Sequence, residues 1–177
     1  GIHLGQPWLW VPLSQGAPVA ATLILGLDPA TLETKHTIAV NGQITAVAQG
    51  ADGLIYGIDA QSGAFHVWNL DGKEIQQAGN STGLVYTDLE VVKGRVLAVA
   101  VTKVESGGNT VVCGVIDVLD PVNFGLVTRH LSHARSMRGA QVTQAGFAFA
   151  DGDFCFLPED GKMAMLLTYR LDGPSLE

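Results

Sequence analysis

Apolar and polar residues alternate along most of the chain, in short runs that are separated by two recurring kinds of turn. Period-two alternation is typical of β-strands, whereas an amphipathic helix would place its apolar residues three and four positions apart. The best helical candidate, 29–36, follows an Asp-Pro pair, and its β-branched content favours an outer strand. The pattern therefore predicts an all-β protein.

The first kind of turn is an aspartate that ends an apolar run, and the second is a glycine that opens the next run. The turn aspartates, 43, 49 and 40 residues apart, are Asp28, Asp71, Asp120 and Asp160. The glycines that follow three of them by 23 to 26 residues are Gly53, Gly94 and Gly146. Aspartate accepts bonds from N–H groups two residues on, and glycine adopts positive φ without steric cost. We therefore expect the four aspartates to be structural and at least two of these glycines to have positive φ.

The two turns recur in constant order, which marks an internal repeat. A repeat of about 40–50 residues that consists of strands is typical of the four-stranded blade of a β-propeller. The segment Phe65–Lys73 (FHVWNLDGK) also aligns with Phe154–Lys162 (FCFLPEDGK) without a gap. The sequence predicts a single β-propeller array of about four blades, over 1–40, 41–79, 80–134 and 135–177.

The first predicted blade is partial, because it begins at its second strand, Trp8–Leu13, while the other three are complete. Leu171–Glu177 stops where a further innermost strand would begin. Uncovered sheet faces and edges favour association. We therefore expect half of a seven- or eight-bladed ring, completed by a second copy, by another chain or by further sequence of the same protein. The alternative is a closed four-bladed ring in which the C-terminal segment supplies the missing strand.

The segment Thr22–Ile75 resembles the YVTN, or YncE-like, superfamily of propeller repeats. Asp28–Thr31 carries the Asp-x-x-Thr of that repeat, and Asp52–Tyr56 carries its Asp-Gly-x-x-Tyr. Blades three and four lack the second motif and have Lys93-Gly94 and Ala145-Gly146 instead. The resemblance implies seven- or eight-bladed architecture. It implies little about activity, because the superfamily mixes binding proteins, surface proteins and dehydrogenase subunits.

Charge and composition limit the kinds of binding partner that the chain can have. The 177 residues include 10 basic and 17 acidic ones, for a net charge of −7, which argues against binding to a nucleic-acid backbone. No run approaches the roughly 18 apolar residues that span a bilayer, and 1–13 lacks the basic region and cleavage site of a signal peptide. The low lysine content weakly favours a secreted or periplasmic protein.

The loops between blades and the loops between second and third strands share one face of a propeller, where ligands usually bind. The polar residues expected there are Asn41, Gln43, Ser62, Asn80, Ser81, Glu105, Asn109, Asp151 and Asp153. Asp151 and Asp153 resemble part of a calcium loop, with a hairpin turn as the alternative. Asp88 lies in an innermost strand, where it faces the channel or makes a structural hydrogen bond between blades.

The longest segment between two predicted blades, His130–Arg138, contains two histidines and two arginines. Arg135 and Arg138 could bind a carboxylate of a ligand or partner, and the alternative is a solvated loop. His130 and His133 are three residues apart, which in a strand places them on opposite faces, and no carboxylate or cysteine stands at ligand spacing. We therefore predict no metal site.

Motifs for nucleotide, metalloprotease or nucleophile-elbow chemistry are absent from the sequence. The sequence favours a non-catalytic binding or assembly module over an enzyme. The alternative is an oxidoreductase- or lactonase-type propeller enzyme, or a subunit of one, with its site at the channel mouth. The residues identify no cofactor.

Overall fold

The structure, a computed structural model, describes residues 7–15, 21–106 and 108–131, and five further strands: His3–Leu4, Phe147–Ala150, Asp153–Phe156, Leu167–Asp172 and Ser175–Leu176. All of the regular structure in these residues is β-strand. The strands form four antiparallel sheets of four strands each, and within every sheet the strands lie in chain order. The all-β prediction is confirmed.

Each sheet is a simple up-and-down meander. Sheet one contains β1 (His3–Leu4), β2 (Leu9–Gln15), β3 (Ala21–Leu27) and β4 (Thr34–Asn41). Sheet two contains β5 (Ile44–Gln49), β6 (Ile55–Asp59), β7 (Phe65–Trp68) and β8 (Glu74–Ala78). Sheet three contains β9 (Tyr86–Val92), β10 (Arg95–Ser106), β11 (Asn109–Leu119) and β12 (Leu126–Leu131). Sheet four contains β13 (Phe147–Ala150), β14 (Asp153–Phe156), β15 (Leu167–Asp172) and β16 (Ser175–Leu176).

Two details at the first and last sheets differ from the sequence-based expectation. Sheet one has an innermost strand, β1, where none was expected, although only His3 and Leu4 pair with β2. In sheet four, β16 folds back on β15 through the pair Leu171 and Leu176, so this segment extends the last sheet.

Sheets one, two and three stack face to face through two apolar layers. β5 packs beside β2 on one side and beside β9 on the other. The layer between sheets one and two contains Trp10, Ile24, Ile38, Val40, Ile44, Val47, Ile55 and Trp68. The layer between sheets two and three includes Ala48, Tyr56, Ile58, Phe65, Val67, Tyr86, Leu89, Val96, Val115 and Phe124. Because sheet two is covered on both faces, every residue of β6 and β7 is buried.

Among the described residues, sheet one packs against another sheet on one face only, and its strands alternate accordingly. Along β3, half-buried residues alternate with buried ones. The cross-strand pairs Leu9–Leu27, Val11–Leu25 and Leu13–Leu23 share the face that points away from sheet two. Five of these six aliphatic residues are only half-buried, and Leu13 is 47 % exposed. We refer to these six residues as the outer face of sheet one.

The turns from third to fourth strand repeat the same hydrogen bonds in sheets one and three. Asp28 Oδ1 accepts bonds from the N–H groups of Ala30 and Thr31, at 2.8 and 3.1 Å. Asp120 Oδ1 accepts bonds from Val122 and Asn123 in the same way, at 2.8 and 3.3 Å. The structural role predicted for these two aspartates is confirmed.

In sheet two the corresponding residue is Asn69, and the prediction for Asp71 is wrong. Asn69 Oδ1 accepts bonds from the N–H groups of Asp71 and Lys73. Asparagine offers the same acceptor oxygen as aspartate, so the turn begins two residues earlier than the Asp-Gly pair suggested. Asp160 lies outside the described residues.

The glycine turns lie between the first and second strands. Gly53 has φ 81° and Gly94 has φ 70°, so the expectation of at least two positive angles is confirmed. Gly94 follows Lys93, which also has positive φ, in a two-residue hairpin between Val92 and Arg95. That combination is the type I′ turn that fits the twist of paired strands. Gly146 lies outside the described residues.

Candidate functional site

A cleft of about 230 Å³ opens between sheets two and three, at the end where the chain passes from one sheet to the next. One side is the turn from β6 to β7, and the other is the connection from β8 to β9. The residues that line the cleft are Ile58, Asp59, Ala60, Gln61, Ser62, Gly63, Asn80, Gly83, Leu84, Val85 and Tyr86. Ser62 and Asn80 were both expected on this face, and the structure brings them together.

Asp59 is the charged residue of the cleft. Its side chain holds the turn through Oδ1, which accepts bonds from the N–H groups of Gln61 at 2.7 Å and Ser62 at 3.0 Å. The same turn has a bond from Gly63 N–H to the Asp59 carbonyl at 2.8 Å. Asp59 is thus a further member of the series of turn aspartates, and only 7 % of it is exposed.

The backbone next to Asp59 is fixed by the connection from sheet one. Gly42, with φ 112°, lies so close that an added Cβ would stand 2.3 Å from Asp59 Oδ2. Buried Thr22 donates to the Gly42 carbonyl at 2.9 Å and accepts from Ile44 N–H at 3.0 Å. Ala60 N–H bonds the Gln43 carbonyl at 2.8 Å. Hydrogen bonds thus hold both backbone segments around the Asp59 carboxylate.

Tyr86, at the other side of the cleft, ends in a buried polar network. Its hydroxyl donates to Asp117 and lies 2.8 Å from the Thr82 hydroxyl. Asp117 is fully buried and binds the Arg129 guanidinium through two bonds of 2.7 Å. Burial, followed by the bond to Asp117, raises the pKa of the Tyr86 hydroxyl above its ordinary value of 10.0. The bond to Asp117 likewise raises the pKa of Arg129. This arrangement is suited to rigidity, because a charge-assisted bidentate pair fixes β11 to β12.

Sheet two has a polar pair at the position that corresponds to Asp117 in sheet three. His66 lies three residues before Asn69, just as Asp117 lies three residues before Asp120. The Nδ1 atom of His66 is 2.6 Å from Glu74 Oε1. The imidazole stacks on Trp68 at 5.4 Å, and Nε2 is buried with no hydrogen-bond partner among the described residues. His66, Trp68 and Trp10 are buried blade-packing residues.

Of the residues singled out in the sequence, the three that the structure describes do not line this cleft. His130 lies half-buried in β12, opposite Ile116. Asp88 lies half-buried in β9, opposite Val99, and its Oδ1 accepts a bond from Leu89 N–H at 3.0 Å. Asp153 belongs to β14, where it pairs with Ala150 and Arg170. His133, Arg135, Arg138 and Asp151 lie outside the described residues.

Sequence reasoning missed both Asp59 and the Asp117–Arg129 pair. The signal for Asp59 is its segment Asp59–Gly63 (DAQSG), which has the form of the Asp28 turn (DPATL) but joins the second and third strands. The signal for Asp117 is a lone acidic residue inside the apolar run VIDVL. Such a residue requires a buried partner.

Within the described residues, no group of three or more His, Cys, Asp or Glu side chains could hold a metal ion. The same part of the chain contains no helix with the length and hydropathy needed to cross a membrane.

Comparison with known proteins supports the fold class. No protein-family model matches the chain, and no curated protein matches it by sequence. Among solved structures, the β-propeller domain of Cps50 (Swd1) from Myceliophteria thermophila is 10 % identical with a TM-score of 0.50, over 96 % of this chain and 63 % of that chain. The acylaminoacyl peptidase of Pyrococcus horikoshii is 11 % identical with a TM-score of 0.56, over 100 % of this chain and 31 % of that chain.

These likenesses concern the fold alone. Together with the four meander sheets, they define the chain as a β-propeller-type protein of three to four blades. The chain spans less than two thirds of the length of either of these proteins.

Proposed function

We propose that the chain is a non-catalytic β-propeller module for binding and assembly, in a ring that a second copy or another chain completes. The observation that carries this proposal is the outer face of sheet one. Six aliphatic side chains line it in three cross-strand pairs, and none of them is fully buried. In contrast, sheet two is buried on both faces.

The residue at the centre of this outer face supports an apolar partner. Leu25 lies three residues before Asp28, so it corresponds to His66 of sheet two and Asp117 of sheet three. Those two residues pair with polar side chains of their own sheets, His66 with Glu74 and Asp117 with Arg129. Leu25 instead stands opposite Thr37. Covering apolar surface stabilises by about 25 cal/mol per Å². A further blade with an apolar face therefore fits this surface better than solvent does.

The simplest completion is a pair of copies around a two-fold axis, which gives an eight-bladed ring. Each outer face would pack against the last sheet of the other copy. The YVTN-like repeat, carried by Asp28–Thr31 and Asp52–Tyr56, supports a seven- or eight-bladed ring and belongs to this proposal. A secreted or periplasmic location is supported by the low lysine content.

Light scattering tests the proposal. At micromolar concentration the expected mass is twice the 18.6 kDa of one chain. Leu25→Lys should give the single-chain mass, because a charge on the outer face resists burial. Ile75→Lys is the matched control, since Ile75 is 52 % exposed on the outermost strand of sheet two. A single-chain mass for the unmodified protein would instead favour the closed four-bladed ring.

The residues that the sequence singled out remain candidates for partner binding within this proposal. Arg135 and Arg138 would hold a partner carboxylate, with His130 and His133 beside them, and Asp88, Asp151 and Asp153 would contribute acidic groups on the ligand-binding side. Loss of partner binding in Arg135→Ala with Arg138→Ala, at unchanged melting temperature, would support this role. Unchanged binding would exclude it.

A further inference from the structure

We propose that the cleft beside Asp59 binds a primary ammonium group, such as the side chain of a lysine in a partner protein. The site does not depend on how the ring is completed, because sheets two and three and the connections between them provide all of its lining residues. It can therefore exist in a single chain as well as in an assembly.

One oxygen of the Asp59 carboxylate accepts hydrogen bonds, and the other has no partner among the described residues. Oδ1 accepts two backbone N–H bonds, whereas Oδ2 accepts no bond from any described residue. The residue is 93 % buried, since only 7 % is exposed. Oδ2 is not among the buried side-chain atoms of the described residues that lack a partner, so it is accessible from the cleft side of the protein surface and can accept a bond from a cation.

Position 42, next to Asp59 Oδ2, is a glycine, so no side chain occupies the space beside that oxygen. Any side chain at position 42 would collide with Asp59 Oδ2, because the added Cβ would lie 2.3 Å away. The Gly42 carbonyl is already bound to Thr22, so the local backbone is held in place. The sequence thus places its smallest residue against the free oxygen of a buried carboxylate.

The walls of the cleft fit the stem of a lysine. Leu84 and Val85 provide apolar surface on the way to Asp59, and Val85 is 70 % exposed. A lysine buries its methylene groups along apolar surface while its charged end meets a polar partner. The volume of about 230 Å³ is suited to a ligand of side-chain size.

An ammonium fits the single free oxygen better than a guanidinium or a divalent metal. Guanidinium groups bind carboxylates through both oxygens, and Asp59 Oδ1 is already committed to two bonds. Calcium takes six to eight oxygen ligands. Among the described residues, no group of three or more His, Cys, Asp or Glu side chains could hold a metal ion. The net charge of −7 would also attract a cationic partner at low ionic strength.

Nuclear magnetic resonance titration of the full chain with Nα-acetyl-lysine methylamide tests the site. Saturable shifts are expected for the amide signals of Ser62, Gly63 and Gly83. Asp59→Asn should weaken binding at least tenfold while the fold is kept. The asparagine oxygen can still accept both backbone bonds, as Asn69 does in its own turn. Asp120→Asn is the matched control, because it makes the same change in an equivalent turn away from the cleft, and it should bind as the unmodified protein does.

Three outcomes would overturn the proposal. The first is an absence of saturable shifts in the unmodified chain. The second is equal binding by Asp59→Asn, or equal loss in Asp120→Asn. The third concerns the ligand: the Nε-acetylated probe has the same stem without the charge, and the arginine analogue has the charge in a planar group. If either binds as tightly as the lysine probe, an ammonium site is excluded.

Discussion

Leu32 and Phe124 occupy the same position in the equivalent turns of sheets one and three. Both have positive φ, 60° and 56°, although neither is glycine. This conformation costs an L-residue about 1–2 kcal/mol. Phe124 offsets the cost by burial, since it is 2 % exposed and stacks on Phe65 with ring centroids 4.7 Å apart. Leu32 is 62 % exposed, so little packing compensates its strain.

Leu32→Gly should therefore stabilise the protein by up to about 1 kcal/mol, because glycine adopts positive φ without steric cost. Chemical denaturation measures the change in the free energy of unfolding. Val122→Gly is the control: it lies in the turn of sheet three, is 75 % exposed, and is not among the residues with positive φ. It should destabilise by about 0.5–1 kcal/mol. A loss of stability in Leu32→Gly would show that the turn is not strained.

Tyr86 predicts how stability depends on alkaline pH. Its folded pKa lies above the unfolded value near 10, first because it is buried and then because it donates to Asp117. The stabilisation is complete below pH 10 and is lost as the pH rises further, by up to about 1.4 kcal/mol per pH unit for one proton. Tyr86→Phe should reduce the slope of unfolding free energy against pH between 10 and 11. Tyr56, whose pKa is raised by burial and Asp52, should give a similar reduction as Tyr56→Phe. An unchanged slope in both variants would contradict the assignment.

At the scale of strands, tryptophans packed over glycines join sheets one and two. The Trp10 ring lies over Gly26, where an added Cβ would stand 2.9 Å from two ring carbons. Trp68 covers Gly57, where the corresponding distance is 2.7 Å. Trp10 Nε1 also donates to Gln49 of sheet two at 2.9 Å. These glycines are required by close packing and do not have positive φ.

Gly57→Ala should consequently destabilise the protein by about 1–3 kcal/mol, the usual cost of overpacking a core. Gly79→Ala is the control, because an added Cβ there meets no atom within 4 Å and its φ is not positive. It should change the free energy of unfolding by less than about 0.5 kcal/mol. Thermal and urea denaturation measure both. Equal effects of the two substitutions would argue against the steric explanation.

The sequence predicted the strands well because alternation and turn chemistry are local. Asp28, Asp120, Gly53 and Gly94 lie in the predicted turns, since each acts on the two or three residues after it. The prediction for Asp71 was wrong because Asn69, two residues earlier, accepts the backbone hydrogen bonds of this turn. Local patterns also predicted that Ser62 and Asn80 share a face, because loop positions in a meander alternate between two ends.

The cleft itself depends on packing between blades, which no local pattern encodes. Asp59 and Tyr86 are 27 positions apart and belong to different sheets, and the room beside Asp59 Oδ2 depends on Gly42 from a third segment. The Asp117–Arg129 pair depends on the register of β11 and β12, in which a one-residue shift would separate the charges.

At the scale of the whole molecule, the two faces of sheet one differ in a way that concerns stability as well as assembly. Trp10, Ile24 and Ile38 are fully covered by sheet two, while Leu13 and the rest of the outer face remain half-buried or exposed. A domain of this size is stable by only about 5–15 kcal/mol. Covering the outer face would therefore add a substantial fraction of the total free energy of unfolding.

If a second copy covers the outer face, the melting temperature should rise with chain concentration, because association stabilises the folded state by mass action. Each tenfold increase in concentration should add about 1.4 kcal/mol per pair of chains. Calorimetry over a hundredfold range of concentration measures this rise. Leu23→Lys, on the outer face, should abolish the dependence while the melting temperature at the lowest concentration stays close to that of the unmodified protein. Ile75→Lys should keep the dependence. A melting temperature that is independent of concentration in the unmodified protein, together with a single-chain mass, would mean that the outer face is closed within one chain.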